Sequence, residues 1–146
     1  MPVVSRARVV AAPQRRVWDL VADPHGLPRW WPGVARVEDA TPLAWTKVLT
    51  TDKGKAIRAD FTREAADEPR RLVWRQELLE SPFEGIMRES RVEIALDPEG
   101  EGRTRVTITA TRKLRGLSRL GGFMVRSATR RQLDEALDGL ERAVAG

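Results

Sequence analysis

The chain has 146 residues, of which 41% are hydrophobic and 32% charged, and it carries a formal net charge of +5. This length favours one domain, residues 1–146, and the composition is typical of a globular rather than a disordered protein. The absence of cysteine excludes disulfides and thiolate ligands, and His25 is the only histidine, so we expect no metal.

The N-terminal sequence does not have the pattern of a signal peptide. No apolar run is long enough for a signal peptide or a membrane-spanning helix, which predicts a cytoplasmic protein. There is no glycine-rich phosphate loop, and we expect no cofactor. The basic residues are scattered without a nucleic-acid-binding motif, so we expect no specific nucleic acid as partner.

The first third of the chain predicts one strand, one helix and a stiff connector. Residues 3–10 have the pattern of a strand, and Pro13 suits the first turn of the helix that follows. The sequence Asp-Pro-His-Gly at 23–26 ends that helix. Residues 27–33 then place Trp30 and Trp31 between prolines and a glycine, which excludes a long helix or a central strand there.

The middle of the chain predicts an antiparallel meander. Its strands are separated by short turns rich in Pro, Gly and Asp, which favour hairpins. Alternation gives the sheet one apolar face and one polar face, so another element must cover the apolar side. The predicted strands are residues 34–39, 45–51, 56–63, 72–79, 83–96 and 105–114.

The strand over residues 83–96 contains a conflict of register. Phe83, Gly85 and Met87 share one parity, whereas Val92 and Ile94 require the other. A bulge near residues 88–91 would reconcile the two and bend the strand. Whether Glu89 faces inward depends on where that bulge falls.

The cover for the sheet is predicted at the C-terminus. Residues 123–144 contain no proline and have helical spacing, with Leu133, Leu137, Leu140 and Val144 on one stripe. A helix of that length spans roughly 33 Å, enough to cross a curved sheet.

The chain resembles the START-like superfamily (SRPBCC proteins), and within it the polyketide cyclase/dehydrase-like branch. The resemblance rests on the connector at 27–34, on Ala12-Pro13 and Val17-Trp18 before it, and on the segment 133–140. It implies an α+β helix-grip (START/Bet v-like) fold. Its seven-stranded curved antiparallel sheet would wrap around a long C-terminal helix, with two short helices between strands 1 and 2. Members of the superfamily bind lipids, sterols, polyketides or quinones, and some are cyclases or dehydratases.

This fold predicts a cavity between the sheet and the helix. Large apolar residues on the inward face, with small ones among them, suit either an ordinary core or a ligand pocket, and Gln76 is a polar group on the same face. The expected ligand-binding residues are Trp30, Trp31, Ile57, Ala59, Phe61, Trp74, Gln76, Met87, Ile108, Ala110, Phe123, Met124 and Ser127.

Three residues are weak candidates for catalysis. An inward Glu89 would have a raised pKa and could act as an acid or base. Arg126 and Arg130 continue the apolar stripe of the helix backward, so they either reach the cavity and bind an anion or extend to solvent.

The leading hypothesis is that the protein binds a hydrophobic small molecule such as a lipid, polyketide or quinone. The alternatives are a polyketide cyclase or dehydratase that uses the same cavity, and a peripheral membrane protein that handles a lipid or quinone. Whether the chain is an enzyme stays open. The basic segment 112–131 predicts weak contact with an anionic membrane or an acidic protein, and we expect a monomer or a homodimer.

Overall fold

The structure is a computed structural model that describes residues 3–51, 53–116 and 119–145. These residues form seven strands, three α-helices and one 3-10 turn. In chain order they are β1 Val3–Val10, α1 Gln14–Val21, the turn Pro24–Gly26, α2 Leu27–Trp30, β2 Val34–Glu38, β3 Ala44–Thr50, β4 Ala56–Asp67, β5 Arg71–Glu77, β6 Met87–Pro98, β7 Thr104–Leu114 and α3 Arg119–Ala145.

The strands form one antiparallel sheet in the order β1-β7-β6-β5-β4-β3-β2. Strands β2 to β7 follow one another as a meander, because each strand pairs antiparallel with the next one along the chain. Strand β1 then pairs with β7 along its whole length, from Val3 opposite Thr111 to Val10 opposite Thr104. The predicted helix-grip fold is confirmed, including the two short helices between β1 and β2.

The register conflict in the predicted strand over residues 83–96 is resolved by a bulge. Pairing between β6 and β7 shifts between Met87 and Glu89, which places the extra residue at Arg88. The strand also begins at Met87 and not at Phe83, because the amides of Ile86 and Met87 both donate to the Phe83 carbonyl in a turn. Beyond the bulge, the buried residues of β6 alternate with partly exposed ones.

The core lies between the sheet and the C-terminal half of α3. Leu133, Ala136, Leu137 and Leu140 have no exposed surface, as the predicted stripe requires. Helix α3 is longer than the predicted 123–144. Within the described residues, no helix combines the length and the apolar composition needed to cross a bilayer.

Two contacts fix α3 in place. At Gly139 an added Cβ would lie 2.3 Å from the Trp30 carbonyl oxygen, so α2 approaches the helix as closely as glycine permits. At the sheet edge, Arg6 of β1 forms two hydrogen bonds to Asp134, and Arg8 contacts Asp138 and Glu141. The helix is therefore held at both its α2 side and its β1 side.

Candidate functional site

A cavity of about 300 Å³ lies between the sheet and the N-terminal half of α3. Its wall draws on the connector, on five neighbouring strands and on the helix. The apolar wall consists of Trp31, Leu49, Ala59, Phe61, Phe83, Met87, Val92, Leu114 and Val125. The polar groups of the wall are Lys47, Gln76, Ser90, Arg112 and Gln132.

An aromatic cluster lies at the cavity, and its members Trp31 and Phe61 line the wall. Trp45 and Phe61 stack with ring planes 8° apart, and Trp74 meets Trp45 edge to face at 5.8 Å between centroids. Trp31 meets Trp74 edge to face from the connector, at 5.6 Å. The four rings form one connected cluster, because each ring meets another at 6.3 Å or less between centroids.

Lys47 projects into this aromatic cluster. It has the same parity in β3 as Trp45 and Leu49, and that parity turns its side chain inward, where it is 2% exposed. Its Nζ lies 4.2 Å from the Phe61 ring centroid, 4.5 Å from that of Trp31 and 4.9 Å from that of Trp74. Within the described residues its Nζ has no hydrogen-bond or ion-pair partner.

Burial lowers the pKa of Lys47 well below the ordinary lysine value, and the positive charge of Arg112 lowers it further. Aromatic faces attract an ammonium by about 0.5–2 kcal/mol. Withdrawing an ammonium from water costs several kcal/mol, so the ring contacts offset only part of the loss. Lys47 is therefore a buried amine that is reluctant to hold its proton.

Arg112 is the second basic side chain of the cavity, and it is partly buried. It follows Ile108 and Ala110 on the inward parity of β7. Its guanidinium donates to Thr129 Oγ1 at 3.2 Å and to Gln132 Oε1 at 2.5 Å, and both acceptors lie on α3. Burial lowers the pKa of Arg112. An arginine nevertheless stays protonated in proteins.

Two neutral polar side chains complete the wall. Gln76 and Ser90 are both buried, at 7% and 5% exposed, and neither side chain bonds to another described residue. The described part of the wall contains no carboxylate. The arrangement is an apolar, aromatic cavity with two cationic groups and neutral hydrogen-bonding groups.

A larger groove of about 480 Å³ lies outside α2, against the outer side of α3. Exposed charged residues form much of its rim, including Arg29, Glu135, Asp138 and Arg142. It does not enter the space between the sheet and the helix, so the smaller cavity is the better candidate for an apolar ligand.

The sequence profile of the family described as "Polyketide cyclase / dehydrase and lipid transport" matches residues 1–145. The chain belongs to this family. A search of curated proteins gives no significant match. The family and the fold indicate hydrophobic ligand binding or a polyketide cyclase-like function.

Solved structures agree on the fold. A START superfamily protein from Mycobacterium smegmatis is 16% identical with a TM-score of 0.79, over 98% of this chain and 97% of that one. The ZhuI aromatase/cyclase from Streptomyces sp. R1128 is 20% identical with a TM-score of 0.77, over 98% and 93%. A protein from Thermus thermophilus is 26% identical with a TM-score of 0.75, over 99% and 97%.

The cavity brings together some of the expected ligand-binding residues of this polyketide cyclase family member. The structure places in its wall Trp31, Ala59, Phe61, Gln76 and Met87. Others lie in the surrounding packing and not in the wall. Trp30, Trp74, Ile108 and Ala110 are buried in the core, and Ile57 is partly buried at the start of β4.

The expected contacts from the first turns of α3 are not present. Phe123 and Met124 are 66% and 62% exposed, and Ser127 is also exposed. The helix turns Val125, Thr129 and Gln132 toward the sheet instead. The inward face of the N-terminal half of α3 is therefore formed by these three residues and not by Phe123, Met124 and Ser127.

The three catalytic candidates also lie outside the cavity wall. The bulge at Arg88 turns Glu89 outward, where it pairs with Lys113 at 3.0 Å and approaches Arg91 at 3.8 Å. Arg126 and Arg130 are exposed. The arginine that faces the cavity is Arg112. It lies on β7 and not on α3, where an inward arginine was expected.

The basic segment 112–131 is less free than its sequence suggests. Arg112 is partly buried and donates to Gln132, Lys113 pairs with Glu89, and Arg115 Nε donates to the Glu84 carbonyl. Residues 117 and 118 lie outside the described residues. Contact of this segment with an anionic surface stays a prediction.

Sequence reasoning missed Lys47 and Arg112, although their strands were predicted. The signal was parity, because Lys47 alternates with Trp45 and Leu49, and Arg112 continues the series of Ile108 and Ala110. A charged residue at a strand position that faces the core departs from the usual alternation of apolar and polar residues. Such departures often occur at functional sites.

Proposed function

We propose that this protein binds a hydrophobic small molecule in the cavity between its sheet and α3. One observation carries the proposal: residues of the sheet and the helix leave about 300 Å³ unfilled between them, in a cavity whose rim residues are partly exposed. Protein interiors rarely contain voids of this size, whereas ligand cavities begin at about 300 Å³.

The size and chemistry of the cavity limit the ligand. A water molecule occupies about 30 Å³ in the liquid, so the cavity suits a molecule of roughly ten non-hydrogen atoms. Its aromatic and aliphatic wall favours apolar groups. The conformation described here therefore fits a compact ligand or one segment of a longer one.

The test is a calorimetric titration with octan-1-ol, a neutral apolar probe of suitable size. Ala59 is 1% exposed and lines the cavity, so Ala59→Phe should fill the space and abolish binding. Ala56 lies on the same strand with the opposite parity and is exposed, so Ala56→Phe is the matched control.

We expect wild type and Ala56→Phe to bind octan-1-ol with the same affinity, and Ala59→Phe not to bind. Equal binding by all three folded proteins would place the probe elsewhere and contradict the proposal. Absence of binding to wild type would contradict it as well.

The presence of Lys47 and Arg112 in one cavity wall supports a second function, cyclase-like chemistry on a ketone. Arg112 could stabilise an enolate oxygen, while the uncharged Lys47 amine takes the α proton. The test is exchange of the α protons of octan-2-one in D₂O, followed by proton NMR. Faster exchange with wild type than with Lys47→Met supports the activity, and equal rates contradict it.

A further inference from the structure

We propose that the ligand is an apolar carboxylate whose anionic head lies between Lys47 and Arg112. The inference rests on the proposed function and names the chemical class that the cavity selects. It rests on the juxtaposition of the buried Lys47 and the partly buried Arg112 in one largely apolar wall.

The first relevant feature is the charge of the cavity wall. The described residues of the wall supply Lys47 and Arg112 but no Asp or Glu. A buried cation is costly unless an anion accompanies it. Arg112 keeps its charge and has only the neutral Thr129 and Gln132 as acceptors, so its charge has no counterion within the described wall.

The second relevant feature is the unused hydrogen-bonding capacity of Lys47. Lys47 is almost wholly buried, and its Nζ contacts ring faces without an acceptor among the described residues. Buried donors in native proteins normally have partners. A carboxylate offers acceptor sites on two oxygens, and charge-assisted bonds from lysine and arginine are among the stronger hydrogen bonds.

The third relevant feature is the rest of the cavity wall, which would surround the remainder of the ligand. Ser90 and Gln76 line the same cavity and offer neutral donors beside the two cations. Leu49, Ala59, Val92 and Leu114 supply apolar wall for a short hydrocarbon body. An apolar alcohol would fill the same space but leave the cationic groups without an anion.

Proton uptake accompanies this binding mode. Burial and the Arg112 charge favour the uncharged Lys47 amine in the empty cavity, and Arg112 is the only charged group that faces it in the described wall. A carboxylate beside Nζ favours the ammonium instead. Octanoate binding should therefore take up a proton, whereas octan-1-ol binding should not.

The experiment compares octanoate, octan-1-ol and octylamine by calorimetry on the full chain. We expect octanoate to bind about tenfold or more tightly than octan-1-ol, and octylamine to bind more weakly than either. At about pH 8 to 9, where an ordinary lysine is charged, the octanoate enthalpy should differ between phosphate and Tris buffers because a proton is taken up.

Variants assign the effect to the two cations. Lys47→Met keeps the length of the side chain in an aromatic environment and should remove both the preference for octanoate and the proton uptake. Lys113→Met removes a lysine outside the cavity and should change neither. Arg112→Met should also reduce the preference, and the wild-type comparison holds even if this variant does not fold.

The outcomes separate the two proposals. Octan-1-ol binding as tight as octanoate binding overturns the carboxylate inference and leaves the proposed function standing. A preference for octanoate that survives in Lys47→Met and folded Arg112→Met places the anion elsewhere and also overturns the inference. No binding of any probe overturns both.

Discussion

Lys47 Nζ lies 4.2 Å from the centre of the Phe61 ring, on the inward face of two neighbouring strands. The contact places a buried amine in the wall of the candidate cavity. It makes a stability measurement informative about the site, because the protonation state of Lys47 differs between the folded and unfolded chains.

Replacing this lysine should change how stability depends on pH. Its folded-state pKa is lowered, so between that value and about 10.4 the unfolded chain binds more protons than the folded chain. Wild-type stability should therefore rise with pH in this window, by up to about 1.4 kcal/mol per pH unit, and the contribution is lost as pH falls toward the folded pKa. Lys47→Met lacks this dependence.

Urea unfolding of wild type and Lys47→Met between about pH 7 and 9.5 measures the difference. We expect the variant to be the more stable protein at neutral pH, with the gap narrowing as pH rises. The chain has no tyrosine or cysteine, so few other groups titrate in this range. A gap that is constant with pH would show that the pKa of Lys47 is not lowered.

The close approach of α2 to α3 predicts a strong effect at Gly139. An alanine Cβ there would overlap the Trp30 backbone, so Gly139→Ala should lower the free energy of unfolding by about 1–3 kcal/mol. Gly122 lies in the same helix with no atom within 4 Å of an added Cβ. Gly122→Ala should instead stabilise the protein by about 1 kcal/mol. Thermal unfolding of both variants tests the contact, and equal shifts would contradict it.

Removing the Glu89 carboxylate should leave ligand binding intact. The residue faces outward and pairs with Lys113, so Glu89→Gln should change the octan-1-ol affinity by less than about twofold, a free-energy change of roughly 0.4 kcal/mol. Its effect on stability should be within about 1 kcal/mol, as for other partly exposed ion pairs. Loss of octan-1-ol binding in the calorimetric titration would mean that the bulge does not turn this side chain away from the cavity.

The order of elements could be predicted from sequence, because turn residues and alternation determine a meander locally. The bulge was expected from the parity conflict between Met87 and Val92, but its position at Arg88 was not. A shift of one residue reverses every side chain beyond it. The direction of the Glu89 side chain therefore depends on the position of the bulge, which is determined by the pairing of β6 with β7.

The site was harder to predict than the fold. Hydrophobicity as the criterion selected Ile108 and Ala110, which pack in the core. It also selected Phe123 and Met124, which are exposed. The rotation of the first turns of α3 depends on contacts such as Arg112 with Thr129 and Gln132, between residues 17 and 20 positions apart. No local pattern encodes that rotation.

The most direct test of ligand binding in this cavity is to measure intermolecular NOEs between octan-1-ol and selectively labelled methyl groups. The account predicts NOEs to Leu49, Ala59, Val92 and Leu114, which line the cavity on four different strands. NOEs confined to exposed side chains such as Leu43 and Leu79 would contradict it, because they would place the bound molecule on the surface.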